Sequence, residues 1–200
     1  MQQVILIHGG DCYRSNDDFA KAIEKWDYNP FEEKKIWRYA LGEKFPSGFQ
    51  YIAPQMPNKD MASYNIREIW FEKLFPYLEG NPIVIGHSLG GLFLSKYLAE
   101  NTFPMSISQL YLLATPSPDL FIQAGEYLAD FPYEVSLLPH LEKQVEQIFI
   151  YHSKDDLVLP FIHGERLAQY LPSAKFMVFE DRGHFNQAEF PEIVENILSN

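Results

Sequence analysis

PIVIGHSLGGLFL, residues 82–94, passes from an apolar run into an apolar helical pattern with only a glycine-flanked serine between them. Pro82–Ile85 reads as a buried strand and Leu89–Glu100 as a helix. A strand that turns directly into a helix holds the turning residue, Ser88, in a strained backbone, and it crowds the positions two before and two after. Glycine at Gly86 and Gly90 removes those side chains. Such a turn aims the Ser88 hydroxyl outward at the C-terminal end of the strand. It also places the Leu89 N–H at a helix N-terminus, where donors are free and the dipole favours negative charge. Acyl transfer needs both a nucleophile and a donor where the oxyanion develops. Gly-x-Ser-x-Gly alone is a weak pattern; a strand before it and a helix after it give it weight. The competing reading is a tight turn without chemistry.

A serine hydroxyl needs a base to take its proton. His8 and His87 sit in strand ends, His152 follows a strand, and His140 and His163 lie in a loop or a helix start. His184 differs: in FEDRGHF (179–185) it follows the last apolar run beside a flexible glycine, on a loop able to arch toward Ser88. The base needs a carboxylate to fix its tautomer. YHSKDDLVLP (151–160) offers Asp155 and Asp156. Asp156 is the favoured partner, which leaves Asp155 as a solvated turn residue. The chain order Ser88, Asp156, His184 is that of one of the known arrangements of this triad. A second oxyanion donor is expected from VILIHGGDCY (4–13), where Gly9 and Gly10 permit close backbone approach. The Gly10 N–H is the candidate, with Asp11 competing and a plain glycine turn as the alternative. Cys12 reads as a loop or core thiol, since reactive cysteines need an electropositive setting.

Six apolar runs punctuate the chain: Gln3–Ile7, Gln50–Pro54, Pro82–Ile85, Gln109–Ala114, Gln147–Tyr151 and Lys175–Phe179. They lack clean alternation, as strands buried on both faces do. Helical patterns separate them at Asp17–Trp26, Ile66–Leu78, Leu89–Glu100 and Phe161–Leu171, and Glu189–Leu198 closes the chain. Strand–helix alternation implies an α/β fold with a mostly parallel sheet and helices on both faces. No linker divides residues 1–200, which read as one domain. Two connections are longer than the crossovers require. Residues 27–49 carry Trp37, Tyr39, Phe45 and Phe49; residues 116–146 carry Leu120, Phe121, Tyr127, Phe131 and Tyr133. Each is either a cap or pocket wall or an extra packed helix.

The formal net charge of −11 disfavours nucleic acid and anionic membranes as partners. A single cysteine among 200 residues excludes an internal disulfide. The first residues lack the charged and apolar regions of a secretion signal, and no apolar window is long enough to span a bilayer. A cytoplasmic location is the expectation. No metal cluster and no cofactor is implied, a small acyl ester is the expected ligand, and nothing points to a protein partner.

The motifs LIHGG, GHSLGG, SKDDLVLP and DRGHF, in that order, resemble those of the α/β-hydrolases. Small size and the stretch PQMPNKDMASYNIREIW (54–70) are similar to the single-domain serine hydrolases of the retinoblastoma-binding-protein-nine and YdeN group. The resemblance implies a three-layer α/β/α sandwich, a minimal hydrolase core, with strand order 2-1-3-4-5-6. The crevice then lies beside the switch point between the first and third strands. Two departures stand out: the opening antiparallel strands of larger members are missing, and Ser153 occupies a position where glycine is common. The implied activity is hydrolysis of a carboxylic ester through an acyl-enzyme on Ser88. The alternatives are a catalytically silent binding or scaffold protein, or an acyltransferase with the same triad.

Overall fold

The strands β1 (Gln2–Ile7), β2 (Phe49–Ile52), β3 (Ile83–His87), β4 (Ile107–Leu113), β5 (Val145–Ser153) and β6 (Lys175–Phe179) form one sheet in the order β2-β1-β3-β4-β5-β6. Every neighbouring pair runs parallel. The computed structural model describes residues 1–33, 35–120 and 127–200. The helices bounded within the described residues are α1 (Asn16–Ile23), α2 (Trp37–Ala40), α3 (Tyr64–Glu72), α4 (Leu89–Glu100), α5 (Leu138–Glu142), α6 (Ile162–Tyr170) and α7 (Pro191–Ser199). No helix among the described residues is long and apolar enough to cross a membrane.

The period of two along each strand builds the layers. Ile5, Ile7, Val84, Leu110 and Leu112 pack on one side with Leu92 and Phe93 of α4. Val4, Leu6, Ile83, Ile85, Tyr111 and Leu113 pack on the other with Trp37 of α2 and Ile193 and Ile197 of α7. Alternate side chains of a strand face opposite sides, so two apolar faces produce two cores and a sheet covered on both. The strand positions agree with the sequence reading to within two residues at most ends. The expectation of burial on both faces fails at the two edge strands: Met177 and Val178 of β6 are exposed, and no residue of β2 is fully buried.

The expected helix over Ile66–Leu78 is interrupted. α3 stops at Glu72, and a separate 3-10 turn covers Phe75–Tyr77. Pro76 lacks the N–H that a continuing helix requires. Inside α3 the burial is also unexpected, since Arg67 is fully buried while Ile66, Ile69 and Trp70 are exposed.

Candidate active site

Ser88 bridges β3 and α4 with φ 56° and ψ −125°, a conformation that L-residues rarely adopt. Its amide donates to the Leu113 carbonyl at 2.8 Å, and its own carbonyl accepts from the Gly91 and Leu92 N–H groups at 2.9 and 3.2 Å. Neighbours on both sides therefore hold the strain in place. The glycines also serve close approaches that the sequence reading did not foresee. A Cβ on Gly86 would lie 2.6 Å from Gly91 Cα, and one on Gly90 would lie 2.1 Å from the Ile7 carbonyl oxygen. The nearest obstacles to the two positions lie in different elements. Gly86 lets α4 settle on β3, and Gly90 lets α4 pass the end of β1. Gly91 is a third such contact, 1.9 Å from Thr115 Oγ1 if it carried a Cβ.

On the opposite side, His184 Nδ1 and Asp156 Oδ2 are 2.8 Å apart. Asp156 Oδ1 accepts from the Val158 and Leu159 N–H groups at 2.8 and 2.9 Å. Burial opposes the charge on Asp156, but the imidazole and the two amides outweigh it and hold the carboxyl below its usual range. An ionised Asp156 accepts from Nδ1–H, so the free nitrogen of His184 is Nε2. Asp155 is an exposed turn residue, as expected, but it is not idle. Its Oδ1 accepts from Ser153 Oγ and, at 2.8 Å, from the Gly183 N–H. Ser153 Oγ in turn accepts from the Arg182 N–H at 3.0 Å. The departure at Ser153 thus fastens the loop that carries His184.

Two further donors hold that loop. His87 Nε2–H donates to the His184 carbonyl at 2.8 Å, and Trp37 Nε1–H donates to the Phe185 carbonyl at 2.8 Å. Burial first, then the nearby His184 and Arg38, push the His87 pKa down to about 3, so this ring stays neutral.

The loop after β1 is built around Arg67. The guanidinium is fully buried and donates through Nη1 to the His8 carbonyl at 3.2 Å and through Nη2 to the Gly9 carbonyl at 3.0 Å. Burial lowers its pKa to about 10, which leaves it charged near neutral pH. Gly9 O also accepts from His8 Nδ1–H at 2.7 Å. That tautomer follows from His8 Nε2, which accepts the Met56 N–H at 2.9 Å. The competing oxyanion donor is committed elsewhere, for the Asp11 N–H donates to the Lys59 carbonyl at 3.0 Å. A Cβ on Gly9 would touch Ser88 Cβ at 3.1 Å, and one on Gly10 would lie 2.6 Å from Arg67 Nη2. Burial pushes the Cys12 thiol up to about 12, and its Sγ donates to the Ala62 carbonyl at 3.6 Å. It is a protonated loop thiol.

Ser88 and His184 line one cleft of about 260 Å³, together with Gly9, Gly10, Asp11 and Val158. No hydrogen bond joins the serine hydroxyl to the imidazole. Residues 27–49 contribute Arg38 and Tyr39 to the same cleft. The described part of 116–146 buries Phe131, Tyr133 and Leu138 in the core; Phe121 lies outside the described residues. Sequence reasoning missed Arg67, His87 as a loop fastener, Ser153 and Gly91. Only Arg67 left a signal: with Tyr64 and Phe71 it marks positions three and four apart on one helix face.

Comparison with known proteins bears on this arrangement. Residues 33–196 match the family described as serine hydrolase. Serine hydrolase RBBP9 of Rattus norvegicus is 28% identical over 163 residues, covering 78% of this chain and 80% of the rat protein. Among solved structures, the ydeN gene product from B. subtilis superposes with a TM-score of 0.68 at 20% identity, covering 100% of this chain and 97% of that one. An esterase from Exiguobacterium antarcticum superposes with a TM-score of 0.61 at 17% identity over 100% and 91% of the two chains. Both solved structures are alike in fold.

Proposed function

The chain belongs to the serine hydrolase family, and from that premise we propose that it cleaves carboxylic esters through an acyl-enzyme on Ser88. One observation carries the reading. A serine strained into a positive φ at the end of β3 shares a cleft with an imidazole whose far nitrogen is held by a buried carboxylate. Ser88 Oγ attacks the ester carbonyl while His184 Nε2 takes its proton. The hydrogen bond between them forms as substrate binds, as apo sites commonly require. The N–H groups of Gly10 and Leu89 receive the oxyanion, Leu89 at the first turn of α4 where the helix dipole favours negative charge. His184 then passes the proton to the leaving alcohol. Water repeats the sequence on the acyl-enzyme and restores Ser88. Asp156 orients the imidazole and stabilises it while it carries the extra proton.

The cleft volume of about 260 Å³ lies just below the range of ligand sites, roughly 300–1,000 Å³, which favours short acyl groups. The esterase named on the similar Exiguobacterium structure is consistent with the bond type. Activated esters graded by acyl length, with fluorophosphonate labelling alongside, test the reading. Wild-type protein should label and turn over short esters fastest. Ser88→Ala should lose the label and at least about 10⁴-fold in kcat. Equal rates for the two proteins would end the proposal.

A further inference from the structure

A buried guanidinium with two backbone carbonyls for partners is unusual, since buried charges are ordinarily paired with opposite ones. No carboxylate lies within salt-bridge distance of Arg67 among the described residues, and its Nε has no partner. Its two bonds go to the carbonyls of His8 and Gly9, immediately before the residue whose N–H we assign to the oxyanion. A trans peptide points its N–H opposite to its C=O. The Gly9 carbonyl turned toward Arg67 therefore turns the Gly10 N–H away from it. A cation donating to that carbonyl also draws electrons from the amide nitrogen, which makes its N–H a stronger donor.

We propose that Arg67 is a positioning residue that aims and polarises the Gly9–Gly10 peptide as an oxyanion donor. The proposal rests on the hydrolase reading above. Three observations converge on it. The Gly9 oxygen accepts from both Arg67 and His8, so this one peptide is polarised twice. Gly10 packs so closely on the guanidinium that a Cβ would lie 2.6 Å from Nη2 and 2.3 Å from the Lys59 carbonyl oxygen. The next amide, of Asp11, is tied to Lys59, which fixes the loop on its far side. The arrangement sits across from Ser88, whose Oγ would lie 3.5 Å from a Gly9 Cβ.

Arg67→Met keeps an unbranched apolar stem of comparable reach to the arginine methylenes and removes the guanidinium with its donors. Its effect should appear in kcat and in tetrahedral adducts, with ground-state binding spared. Loss of one oxyanion donor outright costs about 10²–10³-fold in kcat, so loss of its orientation should cost roughly 10–10²-fold. KM for an activated acyl ester should stay within about twofold. The inhibition constant of phenylboronic acid, which places an oxygen in the same position after adding to Ser88, should rise in step with the fall in kcat. The pH profile should keep its midpoint, because the base is untouched. Arg67→Lys restores a charge but reaches one carbonyl, and should recover part of the loss. It also serves as the deciding variant if Arg67→Met does not give a cooperative melt.

Wild-type kcat and boronate affinity in either folded variant overturn the proposal. So does a rise in KM with kcat unchanged, which would mark a structural role. Ser88→Ala, run beside them, separates the premises. Activity surviving in Ser88→Ala overturns the hydrolase reading and this one together. Activity lost in Ser88→Ala but retained in Arg67→Met overturns this one alone.

Discussion

Two walls face each other across the cleft, and different forces hold them. The wall at the ends of β1 and β3 is steric. α4 passes so close to β1 that Gly90 has no room for a methyl group, and Gly9 would touch Ser88 at 3.1 Å if it carried a Cβ. The wall at the ends of β5 and β6 is polar. Asp156, Asp155, Ser153 and His87 hold the His184 loop through hydrogen bonds, and the loop has only a single glycine, Gly183, at φ 49° with nothing near its Cβ position. The first wall cannot accept volume. The second has open space beside Gly183, whose positive φ still disfavours a side chain, and it cannot lose a donor or acceptor.

The sharpest break in the polar wall is an isosteric exchange at the paired aspartates. Asp156→Asn keeps the shape and offers the imidazole an amide in place of a full carboxylate, which removes the tautomer control on Nδ1. A kcat loss of about 10⁴-fold is expected, as for the same exchange in other triads. Asp155→Asn touches a residue that is exposed and acts through the Gly183 amide. It should cost about tenfold or less, the value of one charge-assisted hydrogen bond at the surface. Kinetics on the two variants decide the assignment of the acid, and the reverse order would exchange their roles.

The steric wall is broken by one carbon. Gly90→Ala places a Cβ at 2.1 Å from the Ile7 carbonyl oxygen and 2.7 Å from that of His8. Both obstacles are backbone atoms, so the end of β1 must move. Overpacking of this kind costs about 3 kcal/mol or more, against a helix-propensity gain of about 1 kcal/mol for alanine over glycine. A urea midpoint should fall accordingly, and kcat with it, since Arg67 binds the displaced His8 carbonyl. A Gly90→Ala protein as stable as wild type would show that the close approach is soft.

The two walls also differed in how readable they were. Gly86, Ser88 and Gly90 announce themselves because steric constraint leaves glycine as its mark around a turn, even where the obstacle, as Ile7 is to Gly90, lies far away in the chain. The layered sheet was readable for the same reason, in that β-branched runs and helical patterns are local. The polar wall was half readable. Asp156 and His184 were paired from residue type and chain order, and their side chains meet at 2.8 Å. The choice between Asp155 and Asp156 turns on which side chain the 153–159 turn points inward, where the Val158 and Leu159 amides meet Asp156. Asp155 and Ser153 act through Gly183 and Arg182, almost thirty residues away, so their role has no local mark. Arg67 left its helical spacing as a signal, but nothing that told its role. A charged residue in an ordinary helix becomes the support of a loop 58 residues earlier, and the apolar neighbours expected inside, Ile69 and Trp70, face solvent instead.

The smallest effect concerns the imidazoles packed behind the polar wall. His87, His152 and His163 are all buried. Burial is the first cause that lowers each of their pKa values, that of His87 to about 3 and that of His163 to about 4. These rings stay neutral in the folded chain, whereas the unfolded chain takes up protons near the ordinary value of about 6.5. Stability therefore falls as the pH drops below that value, until the folded pKa is reached. Asp156, held below the usual carboxylate range, stays ionised through this window and does not offset the loss. Between pH 7 and 6 His87 and His163 should each cost about 0.7 kcal/mol, read as a drop in the urea midpoint, and His152 acts in the same direction. His163→Asn keeps an acceptor for the Ser117 N–H, which His163 Nδ1 holds at 3.1 Å, and it removes one titrating ring. Whatever its absolute stability, that variant should lose about 0.7 kcal/mol less than wild type over the same pH step. An unchanged slope would mean that His163 titrates alike in both states, and that the polar wall admits protons as readily as the steric wall excludes carbon.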